Sequence, residues 1–219
     1  NVIKLCVAND KYILMQAANT SLTGGSTPNG KYNKGLVIIN TTKLQTIIPI
    51  KNGMQVLAFP GSTLYDLEKK IKPFNRAPHS EIGSSCIGAS VVGGVCNNSG
   101  GALIKRGPAY TELSLFALVN KNGTLELHNK LGIELGKSPE EIHKNLDIQN
   151  FNDKNIKNSN SKASSTDYGN IIKDIKANSP ARYNADKNRL YDASGCAGKL
   201  AVFAVRLDTF EKENKERTF

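Results

Sequence analysis

Hydrophobic positions fall in short runs separated by polar, glycine- and asparagine-rich stretches. Tyr12–Gln16 is a brief apolar run leading into turn-forming residues, which predicts a buried strand followed by a loop. Leu36–Asn40 is a second strand, rich in β-branched residues, and Gln55–Phe59 a third, closed by Pro60-Gly61. Ser62 suits a helix N-cap; Leu64, Leu67 and Ile71 then recur at helical spacing, with Asp66 and Glu68 in the early turns and Pro73 as the stop. Ser114–Val119 and Thr124–His128 flank Asn122-Gly123, the strongest hairpin signal in the chain. Ser138-Pro139-Glu140-Glu141 is a capping box that opens a short helix through Leu146. Leu200–Arg206 is apolar on both faces and predicts a central strand. Between them, the Asn/Ser/Lys-rich stretch 149–170 predicts a mobile loop or linker. Short strands, few helices and much loop give an α+β fold class.

Composition narrows the class. Hydrophobic residues at 39% and charged residues at 22% are ordinary for a globular chain and argue against disorder. No run approaches the roughly 20 apolar residues of a membrane-spanning helix. Four cysteines show neither CxxC pairing nor zinc-ligand spacing, so reduced, buried thiols and no metal are expected. The chain starts at Asn1 without a signal peptide, and Val2, Ile3, Leu5 and Val7 look like the end of an element already under way; a piece of a larger protein is expected.

The net charge of +10 favours an anionic partner: nucleic acid, phospholipid, a phosphorylated cofactor or a small acid. Residues 1–110 hold 12 basic and 4 acidic side chains, residues 111–219 hold 17 and 15, so the excess sits in the first half. Aromatic residues are only 6% and do not interleave with the basic ones, which argues against single-stranded nucleic acid.

Three glycine-rich stretches carry the candidate chemistry. Gln16–Gly30 follows a predicted strand; its small residues allow close backbone approach, and successive N–H groups in such a loop form an anion-binding concavity. It matches neither G-x-x-x-x-G-K-[ST] nor G-x-G-x-x-G, so a binding loop and a plain polar surface loop both stay open. Ile82–Gly101 mixes glycines with Val91, Val92 and Val95, where a core helix would lose about 1 kcal/mol per glycine. Backbone buried against a large flat ligand fits that mixture, as does close packing of two elements. Asp192–Lys199, before the last strand, is placed to close over the same ligand.

The segments MQAANTSLTGGSTPNG, PGSTLYDLEK, IGSSCIGASVVGGVCNNSGG, RGPAYTELSLFA and GCAGKLAVFAVRLDTF, in that order, resemble a known family. It is that of the FAD-binding (PCMH-type) domains of bacterial respiratory, quinone-dependent D-lactate dehydrogenases, within the vanillyl-alcohol oxidase type of flavoproteins. The resemblance implies two α+β subdomains gripping an extended, noncovalent FAD, incomplete at the N-terminus. Residues 1–206 would form this domain, and 207–219 would begin the connection to a cap domain outside the chain. Ala17, Ala18, Asn19, Thr20, Ser21, Gly25 and Ser26 would hold the pyrophosphate. Gly83, Ser90 and Gly100 would line the flavin and ADP path, and Val202 would touch the adenine or ribose end. The implied activity is oxidation of D-lactate to pyruvate, with hydride passing to flavin N5 and electrons to the quinone pool. The full-length protein would sit on the anionic cytoplasmic face of the inner membrane as a peripheral protein, with no nucleic-acid partner.

The catalytic base is not identifiable from the chain. His79 is the one histidine placed near the second glycine stretch, and Arg106 and Arg182 are candidates for a substrate carboxylate or for surface pairs. Alternatives are another 2-hydroxy acid such as D-2-hydroxyglutarate, an aldonolactone, or a non-enzymatic basic module for phospholipid or nucleic acid.

Overall fold

The computed structural model describes residues 1–79, 85–101, 106–157, 160–180 and 190–212. The N-terminal apolar residues form helix α1 (Val2–Ala8), which buries Cys6. Strand β1 (Tyr12–Gln16) pairs in parallel with β2 (Leu36–Asn40), from Tyr12 opposite Leu36 to Gln16 opposite Asn40. A parallel pair needs a long crossover, and residues 17–35, the first glycine-rich stretch, supply it.

The main body is a five-stranded antiparallel sheet in the order β3-β4-β8-β6-β7: β3 (Ile47–Ile50), β4 (Gln55–Ala58), β6 (Ser114–Val119), β7 (Leu125–Asn129) and β8 (Ala201–Asp208). β8 is central, as its two apolar faces demand. One sheet face packs Val56, Phe116 and Val205 against α2 (Leu64–Ile71) and α3 (Val91–Cys96). The other packs Leu57, Leu115 and Ala204 against Leu131, Leu135 and α4 (Pro139–Asp147). A register shift between Leu115 and Phe116 leaves Phe203 as an extra residue on β8, so Phe203 and Ala204 both belong to the second face. A two-stranded pair of β5 (Arg76–Ala77) and β9 (Phe210–Glu211) and helix α5 (Tyr168–Ile171) complete the described strands and α-helices.

Three local expectations are corrected, and one strand is added that the sequence reading did not name. Thr63, not Ser62, caps α2: its hydroxyl accepts from Asp66 N–H, while the buried Ser62 hydroxyl accepts from Phe59 N–H and donates to Thr46 O. Ile47–Ile50 is a strand despite Pro49, because β3 is an edge, where a missing N–H costs no ladder bond. Within the second glycine stretch, Val91–Cys96 is helical after all. Ser90 caps it by accepting from Gly93 N–H, and a Cβ at Gly93 would lie 2.5 Å from that hydroxyl, so the cap itself demands the glycine. Finally, parts of 149–170 are packed: Ile156 bridges Ile133, Ala163 to Ser165 are buried, and Asp208 N–H donates to Ala163 O.

Candidate functional site

The loop after β1 is drawn together by one side chain. Asn19 adopts φ 53°, in the left-handed region that Asn tolerates better than most residues. Its Oδ1 accepts from Ser26 Oγ at 2.6 Å and from Thr27 Oγ1 at 3.0 Å, while Gln16 Nε2 donates to Ser26 O at 2.7 Å. Gly24, at φ 64°, receives Thr27 N–H on its carbonyl and closes the far end. Among the described residues, no protein acceptor takes the N–H groups of Ala18, Asn19, Thr20 or Ser21.

Opposite this loop stands α3. Val91 N–H donates to Ser62 O and Leu64 N–H to Ala89 O, which fastens the start of α3 beside the start of α2. Val91 and Val95 are buried beneath it. The third wall is the turn before β8, where Gly195 N–H donates to Val95 O and Ala197 N–H to Cys96 O, both at 3.0 Å.

These three segments enclose a cleft of about 780 Å³. Its lining includes Ala17, Ala18, Asn19, Thr20, Ser21, Gly25 and Ser26 from the first stretch, Ser90 and Gly100 from the second, and Val202 from β8. Gly83 lies outside the described residues. Thr23 of the first stretch and Val92 of the second line it too, and lining positions that motif reading did not single out include Asn97 and Ser99, inside the second stretch, and Leu200, one alternation before Val202. Ala197 and Gly198 bring the third stretch to the cleft, as its sequence suggested.

Among the described residues no Lys, Arg, Asp, Glu or His lines the cleft. The described basic residues of the first half are therefore not a lining of this site. Backbone N–H groups, hydroxyls and carboxamides are the polar groups it offers to a ligand, and such dipoles bind phosphate oxygens without a formal positive charge. A Cβ on Gly25 would find only Thr23 Oγ1, at 3.9 Å, and one on Gly100 would find nothing within 4 Å. That open space beside unpartnered N–H groups fits an extended dinucleotide, whose length needs a cleft within the usual 300–1,000 Å³ range.

The catalytic candidates lie elsewhere. His79 is buried, its Nδ1 has no hydrogen-bond partner among the described residues, and burial followed by the Arg106 charge pushes its pKa down to about 4. Arg106 donates to Pro78 O at 2.8 Å and lies over the Phe210 ring. Neither lines the cleft. Arg182 is outside the described residues. His128 stacks on Phe116, and the His143 ring meets Phe203 edge-on, so both serve packing. No group of three or more metal-ligating side chains occurs among the described residues.

Residues 1–127 match the family model described as "FAD binding domain". The chain is 58% identical over its whole length to the quinone-dependent D-lactate dehydrogenase of Escherichia coli, and 55% identical to that of Haemophilus influenzae. It is 41% identical over 96% of its length to the Corynebacterium glutamicum enzyme of the same name. The chain spans 38%, 39% and 37% of these relatives. In fold it is similar to alkyldihydroxyacetonephosphate synthase (TM-score 0.54, 14% identity, 96% of this chain and 29% of that one). It is also similar to Phl p 4, a glucose dehydrogenase as its N158H variant (TM-score 0.53, 12% identity, 94% and 31%).

Proposed function

The chain belongs to the FAD-binding domain family, and from that premise we propose that the cleft holds FAD and that the whole protein oxidises D-lactate with quinone as electron acceptor. The observation that carries this is the convergence of three glycine-rich stretches, remote in sequence, on one cleft whose described lining carries no Lys, Arg, Asp, Glu or His. The relatives' names supply the substrate and the acceptor.

Bound noncovalently, the flavin supplies the hydride acceptor at N5 and the electron store toward the quinone. The N–H groups of Ala18 to Ser21 hold the pyrophosphate, and Asn19 keeps them convergent through Ser26 and Thr27. Gly25 and Gly100 leave room for the cofactor to approach backbone. Val92 and Val202 give an apolar wall that excludes water from the ring system or the adenine. Among the described residues no carboxylate or histidine lines the cleft to accept the lactate hydroxyl proton. No helix of the described residues is long and apolar enough to cross a membrane; contact with an anionic bilayer belongs to the full-length protein as a peripheral association.

Heat release of the ligand from purified protein tests the cofactor: a flavin absorbance spectrum is expected. A colourless protein that takes up no added FAD overturns the proposal. Flavin bleaching in the full-length protein then separates substrates. Faster bleaching by D-lactate than by D-2-hydroxyglutarate is expected, and the reverse order moves the activity to another 2-hydroxy acid.

A further inference from the structure

Cys96 and Cys196 are free thiols remote in sequence, on two segments that backbone hydrogen bonds hold side by side. Cys96 is the last residue of α3 and lines the cleft. Cys196 is buried in the turn whose next two residues, Ala197 and Gly198, line the same cleft. The paired bonds from Gly195 N–H to Val95 O and from Ala197 N–H to Cys96 O fix the register between the two segments.

The turn that carries Cys196 is tightly curled. Gly195, Ala197 and Gly198 all have positive φ, at 72°, 47° and 85°. A Cβ at Gly195 would lie 2.5 Å from Leu190 Cδ2 and 2.7 Å from Asn98 Nδ2, so only glycine fits there. The Cys96 thiol and the N–H groups of Gly198, Leu200 and Cys196 around this turn favour the charged form of the Cys196 sulfur. These donors, the thiol first, hold Cys196 below the ordinary thiol value against the opposing effect of burial. The same bond, together with burial, holds Cys96 well above it. The pair therefore favours a thiolate at Cys196 and a thiol at Cys96, a polarity that buried cysteines in apolar surroundings lack.

We propose that Cys96 and Cys196 form a hydroperoxide-reactive dithiol whose oxidation crosslinks two walls of the cleft. The Cys196 thiolate attacks the peroxide. Its S–O bond forms as the O–O bond breaks, sulfur loses two electrons to the peroxide, and the alkoxide leaves as an alcohol after taking one proton. Cys96 sulfur then attacks Cys196 sulfur; the S–S bond forms, the S–O bond breaks, and the Cys96 proton departs with the hydroxyl as water. One hydroperoxide and two thiols give one disulfide, one alcohol and one water. Small peroxides reach the pair through the cleft. One corollary rests on the FAD reading: a bound dinucleotide shields the pair.

Reduced, cofactor-free protein is treated with a modest excess of hydrogen peroxide at neutral pH and followed by intact mass and peptide mapping. Loss of two hydrogen atoms and a crosslinked peptide joining Cys96 to Cys196 are expected. Cys96→Ser should accumulate a dimedone-trapped sulfenic acid on Cys196, and Cys196→Ser should slow oxidation by about tenfold or more. Oxidation that starts at the exposed Cys86, a wild-type protein without the crosslink, or a Cys196→Ser protein oxidised at the wild-type rate overturns the proposal. Repeating the reaction with FAD present keeps the two ideas apart. A crosslink that FAD does not slow leaves the dithiol standing and counts against FAD in this cleft.

Discussion

Ser26 donates its hydroxyl proton to Asn19 Oδ1 over 2.6 Å, across the mouth of the loop that follows β1. Asn19 holds φ 53° while accepting a second hydroxyl, from Thr27. One residue therefore fixes both the backbone turn and its cross-link. Replacing it with alanine strains the left-handed backbone and strands two hydroxyls; Asn19→Gly removes only the cross-link. Asn19→Ala should weaken FAD binding by roughly 10–100-fold, and Asn19→Gly by less, as read by flavin-fluorescence titration. Equal affinity in the alanine variant and the wild type would remove Asn19 from the proposed phosphate grip.

Gly25 faces open space, with only Thr23 Oγ1 within 4 Å of a built Cβ. Gly25→Asp should fold normally while placing a carboxylate against the proposed pyrophosphate. FAD retention should drop by at least about 100-fold, with a melting temperature of the cofactor-free protein within about 2 °C of wild type. Gly25→Ala, small and neutral, should keep most of the affinity. Wild-type FAD content in the aspartate variant would place the phosphates elsewhere.

What the chain discloses and what it hides follow the range of the interactions. The Ser138 capping box is local, and the helix over Pro139–Asp147 follows from it. The central place of β8 was legible because apolar residues on both faces leave no solvent side. The cap at Thr63 was not: two adjacent hydroxyls are equivalent in sequence until Thr46, from another segment, engages Ser62. Helix α3 was hidden for a similar reason. Burial of Val91, Val92 and Val95 in the core outweighs the propensity cost of Gly93 and Gly94, and that core exists only in three dimensions. The loop, Ser90, Gly100 and Val202 were legible as motif positions, and they meet at one cleft. That its described lining lacks charged side chains was not legible, since net charge is a property of the whole surface.

Arg206 is the most deeply placed cation among the described residues. Its Nε donates to Gln55 Oε1 at 2.8 Å and a guanidinium nitrogen donates to Leu131 O at 3.0 Å; Gln55 in turn donates to Asp208. Burial lowers its pKa from the usual arginine value, yet these acceptors compensate it well enough to remain charged. Arg206→Ala leaves a carbonyl and a carboxamide unpaired in the core and should cost about 3 kcal/mol, roughly 6–12 °C in melting temperature. Scanning calorimetry or denaturant unfolding reads this; a loss under about 1 kcal/mol would show that water replaces the guanidinium.

His79 ties stability to acid. Its folded-state pKa, about 4, lies below the ordinary 6.5, so above pH 6.5 the group is neutral folded or unfolded and the native state keeps its full advantage. As pH falls from 6.5 towards 4, the unfolded chain binds a proton that the folded chain refuses, and stability is lost. The loss should approach roughly 2–3 kcal/mol by pH 4.5. Urea unfolding at neutral pH and at that acidic pH, on wild type and His79→Gln, isolates this share. The variant should lose less stability on acidification, and identical losses would mean His79 titrates normally.

The basic excess of the first half and a cleft whose described lining is uncharged make opposite predictions about salt. Binding through lysines would weaken on the order of 10–100-fold between about 0.05 and 0.5 M sodium chloride, because a dianionic pyrophosphate would exchange screened charge contacts for ions. Binding through the N–H groups of Ala18 to Ser21 and the hydroxyls around them lets go of no counterion from the protein, so the dissociation constant for FAD should move by less than about threefold. Titration across that range decides between them. A steep loss would bring Lys11, Lys31 or Lys34 of the first half into contact with the ligand, and alanine replacement of each would show which one.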